Sequence, residues 1–414
     1  MFNFNKKGYQ CDWEGIIINF LNIYGESTKT ALGFFWKSGW AFILGYFISA
    51  MIQAFIPKAR LTNYMGEANI KSISLSTIFG SASSSCSFAA LAAAKSLVLK
   101  GAHFITAVAF MFASTNLVIE LGILILIFLG WQFLVAEIVG GIVLIIISSI
   151  LMKIFYPQEW FEQARKKVEA NAVDEKEDFD WKKRIKSKEG WMLVGKNFVS
   201  EWQMVWEEIL IGFTIAGFVT ILVPEELWGK IFLINMTDTL PSWLIALENA
   251  IVGPLVAAMT FIGSMGNIPL ATVLYSNGIF FTGIMAFIYS DLMVPPLIAV
   301  NAEYYGKKVA FYIAGIMYAS IILAALLLNF AFGALDILPE SSRQIAQLTQ
   351  FKIDYTFWMN IVFVGVAGWL IYLNKKYMEN KKDDQSESGT SIKRKIAYLF
   401  IIIILGGLIA FIIT

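Results

Sequence analysis

Long, nearly unbroken apolar blocks dominate this chain, in place of the single stripe of a surface helix or the alternation of a strand. They predict eight full crossings near residues 37–57, 102–127, 130–153, 205–223, 279–300, 309–332, 356–374 and 395–413, since about 20 apolar residues span the hydrocarbon layer. A chain in lipid must satisfy its backbone within its own segment or in a closed barrel, and no alternating strands of barrel length appear, so the crossings are read as helices. Residues 9–35 mix polar and apolar positions at helical spacing and read as an interfacial helix. Two polar strips interrupt the apolar pattern. One, over 154–204, divides the chain into halves; the other, over 374–395, joins the last two spans.

Two further apolar segments are unusual. Residues 72–100 are crowded with small and hydroxylic side chains around GSASSSCSFAALAAAK, and residues 242–276 are interrupted by GSMGNIP. Each is either one crossing or a re-entrant pair of half-helices, and charge arbitrates between the two. With both re-entrant and the long polar loop in the cytoplasm, 25 Lys and Arg fall inside against 7 outside; with both crossing, the division is 19 against 13. The positive-inside rule therefore favours hairpins, which are tolerated at membrane depth where they line a cavity. Placing residue i over i+177 matches Ser87 with Ser264, Gly101 with Gly278, and Ala109-Phe110 with Ala286-Phe287.

The fold class expected is an all-α polytopic membrane protein built as an inverted repeat with two re-entrant helical hairpins, plus two C-terminal transmembrane helices. Its parts are an N-terminal interfacial segment (1–35), a first membrane repeat (36–156) with hairpin 72–100, and a cytoplasmic loop (157–200). A second repeat (201–333) follows with hairpin 242–276, and then two final helices (356–414) with a charged linker at 375–395. Inverted repeats whose broken helices meet near the midplane describe secondary transporters.

Composition agrees: 57% of residues are hydrophobic, 15% are charged and the mean hydropathy is +0.66, which excludes a set of soluble domains. A net charge of +1, with basic residues scattered over short loops, gives no reason to expect nucleic acid. Two cysteines and one histidine rule out a disulfide framework, a four-thiolate metal site and most catalytic triads. No phosphate loop or nucleotide fingerprint appears, and no cofactor is expected. The N-terminus lacks a signal-peptide core with a cleavage site, so the first span is expected to act as its own insertion signal.

Candidate chemistry gathers at the tips. Ser84, Ser85, Cys86 and Ser87 place hydroxyls and a thiol where the returning half-helix presents unpaired amides, which suits a polar or soft solute and makes Cys86 the candidate metal ligand. Small residues that let half-helices approach are the competing explanation. At the second tip, Ser264 and Asn267 are the candidate solute contacts, with Asn267 read as a cap and Pro269 in the first helical turn. Ionisable groups within spans are functional candidates by default, which singles out Asp291, Glu120 and Glu137 for proton or ion coupling. Glu120 and Glu137 are either a pair sharing a proton or acids that hydrogen-bond neighbouring helices, with Gln132 as one partner, and keep their protonation. Asn116 and Asp291 follow the two hairpins at related positions and are placed in the same cavity. His103 reads as an interface residue.

The stretches SSSCSFAALAAAKSLVLKGA, AFMFASTNLVIELG, GWQFLVAEIVGG and GNIPLATVLYSNGIFFTGIMAFIYSDLMVPPL occur in order within residues 36–332. In these the chain resembles the bacterial and archaeal predicted-permease family that includes organoarsenical efflux permeases. The resemblance implies a multi-pass permease of the prokaryotic cytoplasmic membrane, without a separate energy domain, that exports thiophilic species and uses cysteines near the first hairpin. Some metal-exporting relatives carry Cys-Ser-Cys there; this tip has Cys86 alone. The expected partners are a small-molecule or ion substrate and the lipid bilayer, with a homo-oligomer left open. Two rivals stand beside export: an intramembrane enzyme using Cys86 or a neighbouring serine with His103 as base, and a membrane subunit recruiting a partner through 157–200.

Overall fold

A computed structural model describes residues 13–55, 65–83, 87–162, 181–260, 262–339, 351–380 and 392–413, and all regular structure among them is helical. The first helix, α1 (Trp13–Phe55), is continuous through the stretch read from sequence as an interfacial helix followed by a span. The polarity that suggested an interface is satisfied internally. Ser27 and Thr30 donate to the carbonyls of Ile23 and Glu26, both at 2.8 Å, and both residues are buried. A hydroxyl that bonds back to its own helix can face a neighbouring helix without penalty. Here that neighbour is the last helix, whose Ile403 carbonyl accepts from the Tyr24 hydroxyl.

Next come α2 (Ile70–Ser83) and α3 (Ser87–Leu99), then α4 (Phe104–Asn116) and α5 (Ile119–Phe128). The His103 amide donates to the Met65 carbonyl at 2.8 Å, so residues 66–102 leave and return at one point. A Cβ on Gly80 of α2 would lie 2.5 Å from the Phe110 carbonyl oxygen of α4. The chain continues through α6 (Trp131–Ile154), α7 (Trp181–Lys186), α8 (Lys188–Leu222) and α9 (Glu225–Ile231). Helix α8 takes in residues 188–200, which the sequence reading left in the polar loop. It runs antiparallel to α1, with Gly217 against Ala31 near one end and Glu201 accepting from Ser49 near the other.

The second half contains α10 (Ser242–Thr260), α11 (Ser264–Ser276) and α12 (Phe281–Ile288). Asn249 of α10 accepts from the Phe280 amide at 3.2 Å, which returns the chain to where it set out. A Cβ on Gly253 would lie 2.6 Å from the Gly283 carbonyl oxygen, the counterpart of the Gly80 contact. Helix α10, at 19 residues, is by itself long and apolar enough to cross a membrane, whereas α2, α3 and α11 have 14, 13 and 13 residues. Then come α13 (Pro295–Tyr305), α14 (Lys307–Ala334), α15 (Tyr355–Asn380) and α16 (Ile392–Ile413), the last two packed along α1 and α8.

The expected continuous span at 279–300 is corrected by the structure: it breaks into α12, a 3-10 turn at Asp291–Met293, and α13. Pro295 and Pro296 open α13 and cannot donate backward, and Val294 before them is held extended. In the first half the corresponding break, between α4 and α5, is a bend of 41°.

Helix ends also correspond. Among the described residues, the glycines with positive φ are Gly101, Gly130, Gly278 and Gly306, at +93°, +104°, +87° and +92°. The first and third lie 177 residues apart, the second and fourth 176. At the ends of α3 and α11 the same two bonds close the helix: Gly101 to Val98 with Ala102 to Leu97, and Gly278 to Tyr275 with Ile279 to Leu274. The outer bond of each pair is the six-to-one bond of a left-handed helix cap. Seven helices of the described residues, or eight counting the bent α4–α5 pair, have the length and apolarity to cross a membrane.

Candidate functional site

The site forms where the two returning half-helices begin. Ser87 is the first residue of α3 and Ser264 the first of α11, and each hydroxyl donates to the same atom, Asp291 Oδ2, at 3.0 Å. Asp291 is fully buried on the 3-10 turn that the proline pair forces into the preceding span. Its Oδ1 has no side-chain partner among the described residues.

Beside this cluster lies a small cavity of about 20 Å³. Its wall combines the hydroxyl-bearing residues Tyr46, Ser87, Thr115 and Ser264 with the carboxylates Glu201 and Glu208 and the thioethers Met204 and Met265. Among the described residues, no lysine, arginine or histidine lines it. Glu201 accepts from Ser49 at 2.6 Å and from the Gln53 amide, so α1 holds it in place. The Glu208 carboxylate sits against Gly263, the residue that caps α11, where a Cβ would overlap it. An anion at that helix N-terminus is favoured by the backbone dipole. Glu208 is also within electrostatic reach of Asp291.

Glu137 of α6 is buried, and neither carboxyl oxygen has a hydrogen-bond partner among the described residues. One turn further along α6, Gly140 makes room for Tyr289, whose hydroxyl donates to the Ala136 carbonyl at 2.8 Å, and Gly141 makes room for Leu117. Glu137 therefore lies on the α6 face that meets both broken spans, and Asp291 is its electrostatic neighbour. Glu120, expected from sequence to pair with Glu137, stands against Gly45 of α1.

Other sequence candidates are accounted for as follows. Asn116 donates to the Phe112 carbonyl and to Thr115 Oγ1, leaving its own Oδ1 unpartnered among the described residues, while Thr115 lines the cavity. Asn267 is committed to the tip itself: it accepts from Thr260 at 3.3 Å and donates to the Ile262 carbonyl at 3.2 Å. Gly263 is the cap that Asn267 was expected to be, and Pro269 falls in the second turn because α11 starts earlier than expected. His103 caps α4, accepting from the Ile105 amide through Nδ1. Ser84, Ser85 and Cys86, and with Cys86 the proposed metal ligand, lie outside the described residues. Among the described residues no three His, Cys, Asp or Glu side chains gather as a metal site.

Sequence reasoning missed Glu201 and Glu208, placing the first in a polar loop. Their spacing of seven within EWQMVWEE, two turns along one helix face, was the available signal.

Comparison with known proteins agrees with this architecture. A family described as predicted permeases matches residues 24–330. The protein Rv2963 of Mycobacterium tuberculosis, whose name describes it as a permease, is 34% identical over 328 residues, covering 76% of this chain and 79% of that relative. No solved structure matches. A multi-pass helical membrane protein with this match over most of its length is a transporter by descent, and the chain belongs to the predicted permease family.

Proposed function

We propose that this permease is a secondary exporter of a small solute in the prokaryotic cytoplasmic membrane, working by alternating access between two inverted halves. The hairpins are re-entrant, one from each face, and their tips meet at the solute site. The observation that carries this reading is the convergence of Ser87 and Ser264 on Asp291 Oδ2. The two hydroxyls occupy equivalent places in two hairpins and share one acceptor, so rocking of one half against the other must change that contact.

The cargo is a thiophilic metal, metalloid or organoarsenical. Met204 and Met265 offer soft sulfur in the wall, the first tip carries Cys86, and the chain resembles organoarsenical exporters. The enzyme reading is weaker, because the His103 nitrogen that would act as base is engaged in capping α4.

The test is flux in proteoliposomes holding the full chain, with a panel of trivalent arsenicals, soft metal ions and organic anions, with and without a pH gradient. Movement of thiophilic species, lost in D291N, is expected. Absence of flux for every compound overturns the proposal.

A further inference from the structure

We infer that Glu137 carries the coupling proton, at a site behind the solute cavity, and exchanges it with Asp291. This rests on the transport reading and adds which acid does the coupling. Glu137 is not part of the cavity wall. It is 2% exposed, with both oxygens unpartnered among the described residues. An isolated carboxylate without donors loses several kcal/mol of solvation in such a place, whereas the neutral acid needs one acceptor.

The groups around it narrow the choice of that acceptor. From η-turn 291–293 comes Asp291, and from the end of α12 comes Tyr289, whose hydroxyl is committed to the Ala136 carbonyl. Helices α4 and α12 contain no charged residue, and the charges of α14 are Lys307 and Lys308 in its first turn. On α5 the acid is Glu120, set against α1; on α2 the charge is Lys71, exposed in the first turn. Asp291 is left as the receiving base, and its two atoms divide the work: Oδ2 holds the serines while Oδ1 is open to a proton.

The step conserves charge. The Glu137 acid gives its proton to the Asp291 carboxylate, so the pair holds one proton before and after, and a site opened to the other aqueous side releases it to water. Cargo enters this exchange through the serines, which belong to both the cavity wall and the Asp291 cluster. A solute that draws either hydroxyl into the cavity removes a donor from Oδ2 and favours transfer from Glu137. Because Gly140 and Gly141, one turn along α6 from Glu137, pack against Tyr289 and Leu117 at the breaks of both spans, movement of either half alters the surroundings of Glu137.

Two measurements test this in the full chain reconstituted in liposomes. Infrared spectra through a pH titration should show a buried protonated-carboxyl band that E137Q removes and E120Q retains. With phenylarsine oxide as probe, E137Q should keep downhill counterflow while its rate under a pH gradient falls to the rate without one. A band unchanged in E137Q, or a pH-driven flux that survives it, overturns the inference. Wild-type protein that moves no probe yet shows the band tied to Glu137 would sink the cargo reading and leave the proton site standing.

Discussion

The two halves of the membrane core, residues 70–154 and 242–334, share a frame but differ in chemistry. Both have a helix pair whose second helix starts with serine, a close glycine contact from the first helix onto the segment thirty residues on, and a broken helix after it. They part at the break. The first half bends by 41° and carries Ser114 at the place equivalent to Asp291; the second is cut by two prolines and carries the acid. Helix starts from both regions therefore donate to one buried acid that only the second region carries.

Replacing the acid should break this arrangement most severely. D291N keeps an acceptor for both serines but removes its charge. Hydrogen bonds to a charged group contribute about 1.5–3 kcal/mol each, and neutral ones roughly half of that. Two weakened bonds amount to about 1.5–3 kcal/mol, or roughly a tenfold to hundredfold loss in transport rate at tenfold per 1.4 kcal/mol. Initial rates of probe counterflow in proteoliposomes check it, and a rate within twofold of wild type would show that the shared acceptor is not part of the cycle.

The serines come next, and they test whether the halves contribute equally. S87A and S264A each remove one donor from Oδ2, and each should lower unfolding free energy in detergent by about 1.5–3 kcal/mol. Since both act on one atom, the double variant should depart from the sum of the two. Additive effects would mean that the acid does not couple the tips.

Much of this frame was legible in the sequence. Blocks of about 20 apolar residues mark spans whatever their neighbours, and the small and glycine-rich stretches within 72–100 and 242–276 mark where each segment divides into two helices. Ser87, Ser264 and Asp291 stand out in the sequence as polar groups within apolar segments. What stayed hidden depends on contacts between distant segments. Glu201 reads as loop because nothing nearby shows that Ser49 and Gln53 of α1 will hold it. Residues 9–35 read as interfacial because their hydroxyls look solvent-seeking until the carbonyls of Ile23 and Glu26 are seen to accept them. The break at 289–294 was written in Pro295-Pro296, but the apolar run around it outweighed that signal.

Gly80 and Gly253 test the packing of each hairpin on its span. An alanine at either would bring Cβ to 2.5 or 2.6 Å from a helix carbonyl oxygen, and backbone cannot step aside as a side chain can. Overpacking of this kind costs about 1–3 kcal/mol, so G80A and G253A should lower the thermal unfolding temperature by similar amounts. A large effect in one half alone would show that the equivalence is confined to sequence.

The smallest effect is expected at the helix ends, where the comparison is at its sharpest. Gly101 and Gly278 hold φ at +93° and +87° and end their helices with the same pair of hydrogen bonds. Around Gly101 nothing lies within 4 Å of an added Cβ, and at Gly278 the nearest atom is Ile234 Cγ2 at 3.8 Å. Contact is therefore ordinary or absent at both, and alanine there meets only the strain of a left-handed backbone, about 1–2 kcal/mol. G101A and G278A should destabilise the protein equally within that range and leave counterflow unchanged, since both lie at the far ends of the half-helices from the tips. A loss of transport in either, with the fold intact, would mean that the base of the hairpin moves during the cycle along with its tip.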